Sequence, residues 1–234
     1  MRKLFFFVGG CLSLLLWCGN SGYGEPPTEV KTKTIKITDV SPKSSQKHLM
    51  DLMKKALEEE AKTEKDGILK NKMLDISSDK GTLETEAAEL KKGYDEGAKA
   101  YTIGFPSAYS AETGVLIILI DLQLLPPNVT ELLKDHEDGH SLIHSELAKK
   151  LGPKIAAKHK NGKDIEKELR EAIDDADEKY EGLTNGANDP DQDQKKEARK
   201  VIEKVLKDYD TPALVGNMAN LATSWGEIRN SPNH

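Results

Sequence analysis

Residues 115–122 read Val-Leu-Ile-Ile-Leu-Ile-Asp-Leu, an almost unbroken apolar run of strand length. A strand with one wet face alternates apolar and polar residues, so a run without alternation points to a central strand covered on both sides. Pro126-Pro127-Asn128 stops it, and from Thr130 the apolar spacing takes on the helical period. That switch gives the fold class: α+β, with a small, mostly antiparallel sheet in the N-terminal half and a helical C-terminal half.

Working outward, Thr34 to Val40 alternates apolar and β-branched polar residues and reads as a half-buried strand. Ala98 to Phe105 is a further strand, joined to the apolar run by a polar loop of hairpin size over Pro106–Gly114. Ser44 or Ser45 caps a helix through Lys62, with Leu49, Met50, Met53, Ala56 and Leu57 at helical spacing. Lys65–Gly93 is charge-rich and broken by Gly67 and Gly81, with Leu83–Leu90 as a short helical piece. A solvated linker and a packed insertion both fit it. Downstream, helices are predicted over Glu131–Leu151, Lys163–Glu181, Lys195–Tyr209 and Asn217–Ile228, with Gly152-Pro153 ending or kinking the first. Asn128-Val129-Thr130 is formally a glycosylation acceptor, but Asn128 or Thr130 reads better as the cap of the first of these helices.

The N-terminus reads as an export signal. Arg2 and Lys3 precede an apolar stretch from Leu4 to Trp17, broken by Gly9-Gly10 and too short to span a bilayer well. Gly22-Tyr23-Gly24 places small residues at a cleavage site, so residues 1–24 form the signal peptide and 25–234 a single domain, with a sheet-containing half (25–125) and a helical half (126–234). The expected location is periplasmic or secreted. Leu15-Leu16-Trp17-Cys18 also resembles a lipoprotein signal, which would anchor the chain through Cys18, although Trp17 stands where such signals carry a small residue. Both cysteines, Cys11 and Cys18, lie in the leader. The exported chain therefore has no disulfide, thiolate ligand or cysteine nucleophile, and any metal ligands are His, Asp or Glu.

Removing Arg2 and Lys3 moves the formal charge from −6 to −8, and no basic cluster offers a footprint for phosphates. This argues against a nucleic-acid partner. Charged residues make up 32% and aromatics 5%, a composition suited to long solvated helices around a modest aliphatic core.

The chemistry concentrates in His136-Glu137-Asp138-Gly139-His140, an H-E-x-x-H pattern inside a predicted helix. Residues four apart share a helix face, so His136 and His140 can grip one cation, expected to be Zn2+. Glu137 stands one step round the helix, placed to act as general base toward water activated by that cation. The competing reading is a structural histidine pair in a core. The third ligand is open. His144 continues the ladder but lies about 12 Å along the axis from His136 at ~1.5 Å per residue, which favours a supporting or exposed role. Glu146 has metzincin spacing, yet Ile143 stands where that class needs a glycine. Glu166, Glu168 and Glu171 lie on the following helix, the arrangement of thermolysin-like enzymes, though each also reads as a solvated helix charge.

The second half of the chain resembles a family of predicted secreted bacterial zinc-dependent proteases. The matching features are Leu125-Pro126, the His136–His140 motif with Gly139 before the second histidine, and a distal block of Tyr209-Asp210-Thr211, Gly216 and Trp225. The resemblance implies a zincin-like fold, a metal-dependent peptidase activity and a peptide or protein substrate. It also implies a distal histidine, which falls on Val215 here. Asp210 or a helix carboxylate then replaces that ligand, or the metal binds weakly through two histidines, or the chain is a non-catalytic relative. Tyr209 becomes a candidate to hydrogen-bond the oxyanion. The leading expectation is an exported zinc metallopeptidase. The alternative is an envelope binding or scaffold protein without turnover, membrane-attached only through its signal or a lipid on Cys18.

Overall fold

The apolar run becomes β3 (Gly114–Leu124), the middle strand of a three-stranded sheet with β1 (Thr28–Ile37) on one side and β2 (Tyr101–Ala111) on the other. The structure is a computed structural model and describes residues 27–185, 187 and 192–210. The leader with Cys11 and Cys18, the helix expected over 217–228, and Val215, Gly216 and Trp225 lie outside the described residues. Among the described residues no helix is long and apolar enough to cross a membrane.

Both faces of β3 are covered. One face packs on α1 (Gln46–Thr63), α2 (Gly67–Ser78) and α3 (Lys80–Asp95), where Ile118, Ile120, Leu122 and Leu124 join Leu49, Met53, Met73, Leu83 and Leu90 in one core. The other packs on α4 (Glu131–Lys158), α5 (Gly162–Thr184) and α6 (Gln194–Asp210), where Val115, Ile117 and Leu119 meet Ile143, Leu147, Leu151, Leu169 and Val201. Each such side chain contributes about 1.5–3 kcal/mol on burial, which explains why the strand tolerates so little polarity. Strand alternation then carries Asp121 and Gln123 onto the same face as Leu119, toward α4.

The sheet is mixed, with one ladder of each kind, where the sequence suggested a mostly antiparallel one. The reason is the excursion between β1 and β2. Ile37 and Tyr101 both pair with Leu124, so the chain leaves and re-enters the sheet at the same end. β2 must therefore run opposite to β1. The tight turn pairing Ala111 with Gly114 reverses the chain again, and β3 comes out parallel to β1.

Residues 65–93 are a packed part of the fold. Asp66 caps α2 through Ile68 and Leu69, and Asp79 caps α3 through Thr82. Leu69, Met73, Ile76, Leu83, Ala87 and Leu90 are buried in the first core. In α4, Thr130 is the cap, its hydroxyl accepting from the Leu133 amide at 3.3 Å. The helix runs through Gly152-Pro153 to Lys158 instead of ending near Leu151. Proline removes one hydrogen bond from the ladder, but Leu151, Gly152, Ile155 and Ala156 are all buried, and that packing carries the helix across the break.

Candidate metal centre

α4 and α5 form an antiparallel pair joined by a short turn at 159–161. His140 stands 18 residues before Lys158, and the residue equally far beyond Gly162 is Tyr180. The first turns of α4 therefore face the last turns of α5. This pairing brings Asp177, Tyr180 and Glu181 onto the H-E-x-x-H turn.

His136 and His140 are 2% and 7% exposed. Their Nε2 atoms face one another at 3.3 Å, and Oε1 of Glu181 lies 3.1 Å from the first and 3.0 Å from the second. The opposite ring nitrogens are tied outward. Nδ1 of His136 lies 3.1 Å from Oε1 of Gln194, and Nδ1 of His140 lies 2.7 Å from Oδ1 of Asp177. Both of those oxygens accept, so each Nδ1 carries the hydrogen and each Nε2 lone pair turns toward the shared point. Tyr180, fully buried, stacks on His136 with centroids 4.9 Å apart and meets His140 edge-on at 4.9 Å. Its hydroxyl occupies the space where a side chain at Gly139 would begin, 2.1 Å from that position. A glycine is required there for the close approach of a side chain from α5.

Two imidazole lone pairs and a carboxylate aimed at one point repel one another unless a positive charge lies between them. In the metal-free protein a proton supplies it. Burial opposes a charge on His140, but hydrogen bonds to Asp177 and Glu181 outweigh it and push the ring up to about 9. Burial likewise disfavours charge on Glu181, and its hydrogen bonds to His136 and His140 win, holding the carboxyl down to about 2. A metal cation fits the same place. Donors bonded to one tetrahedral ion at about 2.0–2.1 Å stand about 3.3 Å apart, close to the three separations seen. The Glu181 side chain is 50% exposed, so solvent reaches the triad along its length.

Glu137 is 4% exposed, and its Oε2 accepts from the Thr102 hydroxyl of β2 at 2.7 Å. Burial raises its carboxyl above the ordinary range, only partly offset by the neighbouring His140, the Thr102 hydrogen bond and His136. The Gln123 side-chain amide, from β3, donates to the Glu137 carbonyl at 2.9 Å, to Asp138 at 3.1 Å and to the Ser141 hydroxyl at 2.9 Å. Lys36 of β1 reaches Asp138 at 2.8 Å. All three strands thus fix the rotation of α4 through this turn. A cleft of about 390 Å³ runs beside β2 between α3 and α5, lined by Thr102, Gly104, His144 and Asp177 among others. Thr102 and Asp177 each bond a residue of the candidate centre, so the cleft adjoins it.

The remaining candidates lie elsewhere. Tyr209 donates to Glu168 Oε1 at 2.5 Å and lies under the Lys158 ammonium, at the far end of α4. That is 18 residues from His140, about 27 Å at ~1.5 Å per residue. Asp210 pairs with Lys154 at 2.6 Å, and Glu171 with Lys167 at 3.9 Å. Glu166 and Glu171 occupy the first half of α5, which faces the last turns of α4, so none of these carboxylates reaches the histidines. Tyr209 likewise has no place at the triad. The expected element, the helix after the motif, supplies the third donor, but from its other end. His144 is buried between Asp121 and Asp177, a supporting position. Asp177 and Glu181 had a sequence signal: they stand four apart beside the buried stripe Ala176–Tyr180. Thr102, Asp121, Gln123 and Gln194 had none. Comparison of the chain with protein-family models, curated proteins and solved structures returned no match, so the reading of this centre rests on its own geometry.

Proposed function

We propose that the protein is a zinc-dependent hydrolase acting on peptides or proteins after export, with His136, His140 and Glu181 holding the ion and Glu137 moving the proton. The observation that carries this reading is the convergence of two Nε2 atoms and one carboxylate oxygen within 3.3 Å of one another, with both opposite nitrogens tied to oxygens. Zinc held by these three residues would supply an activated water and a Lewis acid for a carbonyl. Glu137, raised by burial, accepts a proton from the attacking water and returns it to the leaving amine. Thr102 holds its carboxylate on the β2 side, next to the cleft that would take an extended chain on this reading. Among the described residues β2 is an outer strand, paired with β3 alone, and its edge beside the cleft is where such a chain would lie.

One feature favours a second reading, a metal-holding scaffold without turnover: Oε2 of Glu137 is already engaged by the Thr102 hydroxyl. One series of measurements separates the two. The purified protein takes up one equivalent of zinc on either reading, and less than a tenth of an equivalent removes both. Glu137→Gln should keep the zinc and lower peptide hydrolysis by about 10²–10⁴-fold. A wild type that binds zinc and cleaves no peptide in a mixed library leaves the scaffold. For export, mass spectrometry of the N-terminus distinguishes a chain starting at Glu25 from one acylated at Cys18.

A further inference from the structure

The centre is backed by a second buried chain of charge that a metal site does not by itself require. His144 is 1% exposed and Asp121 2%. Nδ1 of His144 lies 3.0 Å from Oδ1 of Asp121, and Nε2 lies 2.7 Å from Oδ2 of Asp177. The other oxygen of Asp177 is the one bonded to Nδ1 of His140, at 2.7 Å. The series Asp121–His144–Asp177–His140 therefore joins β3, α4, α5 and α4 again. Each nitrogen of His144 faces a carboxylate oxygen, so the ring bridges the central strand to α5. The backbone makes room for it: a side chain at Gly104 would begin 3.1 Å from Nδ1 of His144 and 3.3 Å from Asp121.

Stability alone does not explain such a group. Taking charges out of water costs several kcal/mol each, and replacing a buried ion pair or triad with well-packed apolar residues is often neutral or stabilising. What the chain delivers is direction. Asp177 has two partners, one on each oxygen, and cannot rotate without breaking one. Its fixed oxygen decides which nitrogen of His140 carries the hydrogen, and so which faces His136 and Glu181.

We propose that Asp121 and His144 are positioning residues of the candidate metal centre: anchored to the central strand, His144 locks the Asp177 carboxylate in the orientation that presents Nε2 of His140 to the ion. This rests on the reading of His140 as a ligand. It makes the zinc affinity depend on Asp121, which touches neither the ion nor a ligand.

The test titrates zinc into the wild type and into His144→Gln and Asp121→Asn, in competition with a chromophoric chelator. The expected loss of affinity is about 10–100-fold for His144→Gln, as is typical when the hydrogen-bond partner of a ligand is disturbed, with a smaller loss for Asp121→Asn. Leu151→Ala, a core change further along α4, controls for general destabilisation and should leave zinc affinity within about two-fold. The cobalt-substituted proteins give a second readout: the ligand-field bands should shift in His144→Gln and Asp121→Asn and stay in place in Leu151→Ala. If His144→Gln binds zinc as the wild type does, with unchanged bands, the positioning role is overturned and the metal centre stands. A wild type that binds no zinc overturns the metal reading and this inference together. Should the variants fail to fold, ¹⁵N resonances of the wild-type imidazoles decide: a hydrogen on Nε2 of His144 beside an Nδ1–H tautomer of zinc-loaded His140 supports the proposal, and a His144 without a hydrogen on Nε2 refutes it.

Discussion

At the scale of single residues, the two glycines nearest the centre in sequence separate packing from propensity. A methyl group at Gly139 would begin 2.1 Å from the Tyr180 hydroxyl, and Tyr180 is fully buried with no room to withdraw. Gly139→Ala should therefore destabilise the protein by about 1–3 kcal/mol, the usual cost of overpacking. It should also lower zinc affinity, because the strain falls between the two histidines. Gly182 lies in α5 with open space around it, so Gly182→Ala should stabilise by about 0.5–1 kcal/mol through backbone entropy alone. Urea melts of the two variants check both signs, and a Gly139→Ala protein as stable as wild type would refute the packing described around Tyr180. The same scale shows what a sequence can reveal. His136, Glu137 and His140 were legible because one helical turn brings them together. Glu181 and Asp177 were not singled out because they reach the turn only through the pairing of α4 with α5. Their spacing beside the stripe from Ala176 to Tyr180 was a signal, but it has meaning only once the register of that helix pair is fixed.

At the scale of elements, β3 and the motif helix were legible for the same reason: an unbroken apolar run and a long helical period each have few alternatives. Residues 65–93 were not, because their apolar positions are sparse and their caps are aspartates, a residue equally at home in loops. α2 and α3 are specified by Asp66 and Asp79 at their starts and by a few deeply buried side chains between. Met73 and Leu83 are 0% and 1% exposed and lie in the core that backs the sheet. Met73→Ala should accordingly cost about 2–5 kcal/mol, as deep large-to-small changes do, measured as a lowered urea midpoint with an unchanged slope. A loss below half a kcal/mol would mean that this segment is a loosely attached excursion. The parallel pairing of β1 with β3 was equally hidden. It depends on where the three helices return the chain, and no residue within either strand encodes that.

At the scale of the whole molecule, the centre links two helices of one layer to the sheet, so the state of its ligands should govern how stability varies with pH. In the metal-free protein, burial disfavours a charged His140, yet Asp177 and Glu181 raise the ring from 6.5 to about 9. A raised value stabilises the fold fully below 6.5, and that contribution disappears as pH climbs through about 9. Burial also disfavours an ionised Glu181, but His136 and His140 lower it from 4.5 to about 2. A lowered value stabilises fully above 4.5, and its contribution disappears as pH falls toward 2. Without metal these two groups together favour the fold most between 4.5 and 6.5. Zinc must take the place of the His140 proton, so its binding releases that proton and strengthens as pH rises toward 9. The zinc-loaded protein should therefore hold its stability into the alkaline range, where the metal-free protein loses it. At a free zinc concentration 100 times the dissociation constant the gain is about 2.7 kcal/mol. Thermal melts at pH 5, 7 and 9, with and without zinc, give the measurement. The zinc-induced rise in Tm should be smallest at pH 5 and largest at pH 9. A rise that is flat across this range, or greatest at pH 5, would mean that zinc does not displace the His140 proton and that the ion binds elsewhere.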